Sequence, residues 1–313
     1  MKKILVCGAT GFIGKNVTLE LAKNKNYEVH AVRFNRPKYS TPKNVIWHKA
    51  DLRNASSVNK LTKNTDIVIQ LAATTSGSKD IISIPCVHVT DNAVMNSYIL
   101  RSCFENNVKH FIFTSCTVMY PSSKKPTKEK DYNGFIIDKY KGVGETKVYI
   151  EKIAKFYSML GKTKHTIIRH SNIYGPHDKY DLEKSHVFGA TITKVMRAKK
   201  TLEVWGDGSE IRDFLHVSDL TNFIKKSISK QKSEYEIYNC GSGKPISIKN
   251  LCNLIVEKSS KKLKINFSND KPTIKFDLHL NCKKAEKELG WKPKVDINKG
   301  IKSTITWWKN NIQ

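Results

Sequence analysis

A glycine triplet close to the N-terminus constrains this chain more than any other feature. The apolar run KILVCGA gives way to Gly8-Ala9-Thr10-Gly11-Phe12-Ile13-Gly14, and the following FIGKNVTLELAKN carries Ile13, Val17, Leu19 and Leu21 at helical spacing. Strand, tight turn and helix therefore succeed one another, with the first strand buried. The texture then repeats: EVHAVRF, NVIWHKADL, DIVIQLAA and HFIFTSC are short apolar runs, each about a helix length from the last, and HTIIRHSNIYG adds another near Ile167. Such alternation predicts an α/β fold, a Rossmann-type doubly wound parallel sheet with helices on both faces.

Beyond Asn172 the rhythm changes to loops, prolines and charges, with strand and helix texture returning at DFLHVSDLTNFIKKSI and YEIYNCGSG. The expectation is a nucleotide-binding domain over residues 1–171, to which 213–240 returns. A smaller C-terminal substrate-binding domain, made of 172–212 and 241–313, would lie over the carboxyl ends of the strands, where doubly wound folds bind ligands.

Small residues between a first strand and a first helix let the backbone approach a pyrophosphate, and the helix N-terminus supplies amide donors and positive potential. Gly8, Thr10, Gly11, Phe12, Ile13 and Gly14 are thus expected to hold a dinucleotide. The second strand bears on which one. An acidic residue at its end would accept the adenosine ribose hydroxyls of NAD, but this strand ends Val32-Arg33-Phe34-Asn35-Arg36. Arg33 and Arg36 can instead clamp a 2′-phosphate, so of NADP or NAD the sequence favours NADP.

The formal charge of +27 invites a nucleic-acid reading. The basic residues are spread along the whole chain, however, and no nucleic-acid motif organises them, so no nucleic-acid partner is expected. Seven cysteines form no C-x-x-C pair, which suggests reduced thiols and no metal site. No apolar run approaches the ~20 residues of a membrane helix, and glycines break the N-terminal run where a secretory leader would continue. A cytoplasmic protein with no membrane partner is the expectation.

Several segments together resemble the extended short-chain dehydrogenases of the nucleotide-sugar epimerase, dehydratase and reductase group. They are GATGFIG, Asp51-Leu52 after the third strand, Leu71-Ala72-Ala73 after the fourth, Asn92 at a helix start, Arg169-His170-Ser171-Asn172-Ile173-Tyr174-Gly175-Pro176, Arg212-Asp213-Phe214-Leu215-His216-Val217-Ser218-Asp219 and Glu288-Leu289-Gly290-Trp291-Lys292-Pro293. Within the group, Tyr174-Gly175-Pro176-His177-Asp178, Ser185-His186-Val187 and Val204-Trp205-Gly206 are most similar to the GDP-fucose synthases. The resemblance implies that Asp51, Leu52, Leu71, Ala72, Ala73 and Asn92 join the coenzyme site. It implies a nucleotide-sugar substrate, a GDP-sugar first, held by Asn172, His186, Val187, Trp205 and Arg212. It implies hydride transfer at the sugar C4, a role in surface polysaccharide synthesis, and a homodimer formed through helices at 94–104 and 148–156.

The same family uses a tyrosine acidified by a lysine four residues on, assisted by a hydroxyl on the preceding strand. Here Gly144-Glu145-Thr146-Lys147 matches the lysine segment, but Val143 holds the tyrosine's place, and the hydroxyl position falls on Cys116, beside Thr117. Three readings stay open. Tyr140, at helical spacing from Lys147, substitutes. Alternatively His186 or Thr117 moves the proton while Lys147 holds the nicotinamide ribose. In the third, the protein epimerises without net redox change or binds nucleotide sugars without catalysis.

Overall fold

A computed structural model of the chain describes residues 1–74, 84–268 and 275–312. Seven parallel strands form the main sheet: β1 (Lys2–Cys7), β2 (Tyr27–Arg33), β3 (Val45–Lys49), β4 (Ile67–Gln70), β5 (His110–Thr114), β6 (Lys164–His170) and β10 (Tyr235–Cys240). Their order across the sheet is β10-β6-β5-β4-β1-β2-β3. The order reverses between β4 and β1, so the crevice at the carboxyl ends of these two strands is where such a sheet takes a ligand.

Both faces of the sheet are covered, which is why its strands read as unbroken apolar runs. Ile4, Val6, Val29, Ala31, Ile69, Ile112 and Ile168 face α1 (Phe12–Leu21) and α6 (Val217–Lys230), which supplies Leu220, Phe223 and Ile224. Leu5, Cys7, Val68, Phe111, Phe113 and Ile167 face α3 (Thr90–Glu105) and α4 (Lys141–Met159), with Val58 of α2 (Ala55–Thr62). The doubly wound α/β sheet expected from the alternation is thus the observed fold.

The remaining elements make a second body of packing. A small sheet joins β7 (Asn172–Tyr174), β9 (Ile211–His216) and β11 (Pro245–Ser247), and β8 (Thr201–Trp205) pairs with β12 (Lys264–Ser268). Around them α5 (Val187–Arg197), α7 (Ile248–Ser259) and α9 (Ile297–Asn311) bury Phe188, Ile192, Leu251, Ile255, Ile301 and Trp308. Of the segment 213–240, α6 and β10 lie on the main sheet, whereas β9 belongs to the small one. The helix α8 (Lys283–Leu289) packs Leu289, with Trp291 after it, beneath the main sheet.

One carboxylate joins distant stretches of this arrangement. Asp213, almost fully buried, accepts from the Ser242 amide and hydroxyl at 2.7 Å each, from the Gly243 amide at 3.0 Å and from the Leu280 amide at 3.1 Å.

Candidate active site

The glycine turn shows why its residues have to be small. Gly8 has φ +76°, and a Cβ there would lie 2.7 Å from the Ala72 backbone; a Cβ on Gly14 would lie 2.1 Å from the Gly8 carbonyl oxygen. Gly11 is the N-cap of α1 and offers no capping side chain. The first-turn amides of α1 therefore point from a bare backbone at the switch point of the sheet, an arrangement that fits the pyrophosphate of a dinucleotide. Ile13 packs against the core beneath the turn, as does Leu71.

Beside this turn a cavity of about 170 Å³ gathers Gly8, Arg33, Asp51, Leu52, Ala72 and Ala73. The sequence had assigned these to the coenzyme, and the cavity lies where the adenosine end of a dinucleotide would sit. Asn92 serves this cavity at one remove: its Nδ2 donates to the Thr74 and His88 carbonyls, while its Oδ1 accepts from the Thr74 amide, fixing the strand exit. Arg53, which the sequence reading missed, forks onto Asp51 and reaches Asp91 at 3.1 Å, with Phe34 beneath its guanidinium. Its hydrogen bonds hold the Asp51 carboxyl below the usual range.

Arg33 and Arg36 do not converge. Arg33 lines the smaller cavity and donates to the Arg36 carbonyl at 3.3 Å, whereas the Arg36 side chain, with Thr10, Gly11, Phe12 and Lys15, borders a second cavity of about 510 Å³ that runs toward His177 and Trp307.

Lys147 lies at the carboxyl edge of the sheet, nearer its centre. It sits on the second turn of α4, donates from Nζ to the Thr114 carbonyl at 2.9 Å, and stands 4.5 Å from the centre of the Phe113 ring. Desolvation lowers its pKa, with Cys116 and Glu151 opposing. Val143 occupies the preceding turn, as a helix starting at Lys141 requires. Behind the site, Glu151 accepts from Ser115 Oγ at 2.6 Å and pairs with Arg169 at 2.6 Å in a fully buried contact. Burial raises the Cys116 thiol, so it stays protonated, with Lys147 as the largest opposing influence. Thr117 is buried, and its carbonyl accepts from the Tyr120 amide.

Tyr140 does not share a helical face with Lys147. It is the N-cap of α4 and the last residue of a short 3₁₀ turn, Asp138–Tyr140, and its ring meets the edge of Phe276 at 5.8 Å. Burial raises its phenol pKa, and the cation that counters this is Arg212, not Lys147. The ring packs on Phe276 from a distant segment, without the acidifying partner that helical spacing promised.

His170, the last residue of β6, is a cleft residue the sequence reading passed over. Its Nδ1 bonds to the Ser171 carbonyl at 2.8 Å, and its Nε2 is neither buried nor bonded to a described residue. Burial depresses its pKa to about 4, and both Lys147 and His186 add to the shift. His186 is the N-cap of α5, its own pKa lowered by desolvation, then by Lys179 and His88.

The remaining substrate candidates divide. Asn172 Nδ2 donates to the Asp213 carbonyl at 3.2 Å and ties β7 to β9, while Arg212 faces Tyr140 from β9. Val187 packs into the core of the second body, and Trp205 is half exposed under the Lys194 ammonium, lining neither cavity.

Residues 4–241 match the NAD dependent epimerase/dehydratase family. The chain belongs to this family. Membership makes it an enzyme of a group that works with a nicotinamide coenzyme. Among its relatives are the GDP-L-colitose synthase of Yersinia pseudotuberculosis, 26% identical with 98% of each chain covered, and the UDP-glucuronate 4-epimerase of Thermodesulfobacterium geofontis, 27% identical over 99% of this chain and 97% of the other. The solved UDP-glucose 4-epimerase of Thermotoga maritima, with UDP-glucose, superposes with a TM-score of 0.89 at 24% identity, covering 99% of this chain and 100% of that one. Among the described residues, no helix is long and apolar enough to cross a membrane.

Proposed function

We propose that this protein is an NAD(P)-dependent oxidoreductase that acts on a nucleotide-activated sugar, a GDP-sugar first, with hydride transfer at the sugar C4. The observation that carries the reading is the bare glycine turn between β1 and α1 at the switch point of the sheet, with the Lys147 amine held by the Thr114 carbonyl at the end of β5. The bound coenzyme supplies the hydride acceptor or donor. The chain's residues do the rest: the α1 amides hold the pyrophosphate, Arg33 and Asp51 border the adenosine end, and Lys147 is the cation at the ring end. Arg33 in place of an acidic residue supports NADP. Arg212 and Asn172, on the small sheet, face the sugar side.

The same reading assigns residues 1–171 with α6 and β10 to the coenzyme and the other C-terminal pieces to the sugar nucleotide. It also places a homodimer contact on α3 and α4, where Tyr149, Phe156 and Met159 are exposed.

Val143 in the tyrosine's place favours a second reading, a nucleotide-sugar binder without redox turnover. One experiment separates the two. Purified protein is titrated with NAD and NADP by intrinsic fluorescence, then given GDP-mannose or UDP-glucose while the absorbance of reduced nicotinamide is followed. Binding with coenzyme reduction or sugar epimerisation supports the enzyme; saturable binding with neither sinks it.

A further inference from the structure

The missing tyrosine leaves the site without its usual proton carrier, and one unclaimed group stands where a carrier is needed. The last pair between β5 and β6 is Thr114 with Ile168. Cys116 and His170 each stand two residues beyond that pair, at the edge where the Thr114 carbonyl holds Lys147. Three features set His170 apart from the other groups there. Its Nδ1 is committed to the Ser171 carbonyl at 2.8 Å, which fixes the ring and places the proton on Nδ1. Its Nε2 is therefore a lone pair, bonded to no described residue and not buried. It also lies within electrostatic reach of both Lys147 and His186, which bracket the site.

The competing groups lack one of these features. Tyr140 is packed on Phe276 with a raised phenol pKa and no effect from Lys147. The Cys116 thiol is raised by burial and stays protonated. His186 is the N-cap of α5 and does not stand at the end of β5 or β6.

We infer that His170 Nε2 is the proton acceptor and donor of this site, standing in for the tyrosine that Val143 replaces. This rests on the oxidoreductase reading above. As the sugar hydroxyl is oxidised, its O–H bond breaks and the proton passes to Nε2, forming an imidazolium. The C–H hydrogen leaves with its electron pair as hydride to the oxidised nicotinamide coenzyme, and the carbon becomes a ketone. In the reverse direction the Nε2–H proton returns to the oxygen. Burial first, and the Lys147 ammonium after it, disfavour the imidazolium, so the ring is neutral at working pH and able to accept.

Two measurements test this. His170→Asn keeps a donor for the Ser171 carbonyl and removes the Nε2 base. The variant is expected to lose at least a hundredfold in kcat, with coenzyme affinity and KM within threefold of native and without the acidic limb of the native pH profile. Independently, two-dimensional nitrogen NMR of the native protein should show the Nδ1–H tautomer at His170, with an Nε2 resonance that moves when UDP-glucose or GDP-mannose saturates the site. A variant with native kcat, or an Nε2 resonance unmoved at saturation, overturns the assignment alone. Failure of the native protein to bind any coenzyme or sugar nucleotide removes the oxidoreductase reading and this assignment with it.

Discussion

The Lys147 ammonium is tied to the Thr114 carbonyl across 2.9 Å, which couples α4 to the end of a central strand. The amine is held by backbone, so its position does not depend on the residue at 143. Lys147→Ala is expected to lower turnover by about a hundredfold or more while the fold persists, because the lost contact is a single hydrogen bond at the cleft edge. Steady-state kinetics beside a thermal melt checks this; native turnover would remove Lys147 from the chemistry.

Gly14→Ala places a methyl 2.1 Å from the Gly8 carbonyl, a backbone atom that cannot rotate away. Overpacking of this kind costs about 1–3 kcal/mol, and it displaces the turn that receives the pyrophosphate. The expected result is a lower denaturation midpoint together with at least a tenfold loss of coenzyme affinity by fluorescence titration.

Arg33 and Arg36 can be tested separately for a part in coenzyme choice because they border different cavities. Arg33→Glu restores an acceptor for ribose hydroxyls and should move the preference from NADP toward NAD by about tenfold or more. Arg36→Ala, at the other cavity, should leave the ratio unchanged. Paired titrations with both coenzymes decide, and an unchanged ratio in Arg33→Glu disproves the NADP preference.

Glu151 and Arg169 form an ion pair with both side chains 4% exposed, joined to Ser115 and Tyr120. Removing one partner strands a buried charge, at a cost of about 3–5 kcal/mol. Glu151→Gln should show this in urea denaturation, and the double variant Glu151→Leu with Arg169→Met should cost less than either single change.

Acid should destabilise the fold through buried neutral histidines. His165 is fully buried against Phe111, and burial depresses its pKa from 6.5 to about 4. Above pH 6.5 the ring is neutral in both states and contributes no pH dependence. Below that value the unfolded chain binds a proton that the folded chain does not, so stability falls as pH drops toward 4. The loss from this one group is about 3 kcal/mol. His165→Leu should flatten the acid limb of the stability profile by close to one proton.

Much of this site is legible in the sequence because its constraints are local. A glycine triplet between strand and helix, Asp51 after β3 and Ala72 after β4 are each fixed by their own neighbours, and the smaller cavity brings them together. What escapes a linear reading depends on contacts between distant segments. Tyr140 and Lys147 stand at helical spacing, but the helix begins one residue too late, and Phe276 turns the ring away. His170 gains its place beside Lys147 through the pairing of β5 with β6. Trp205 sits by a glycine-rich loop as ligand-stacking tryptophans do, yet its face is occupied by Lys194.

The four bonds gathered by Asp213 reach Ser242, Gly243 and Leu280 from a strand of the small sheet. Of the four, only the Leu280 amide lies beyond the intervening 244–279 stretch, so one bond of this carboxyl group spans it while three close the turn after β10. Replacing that single acid by alanine would unfasten every one of those joints at once, the turn and the returning segment together.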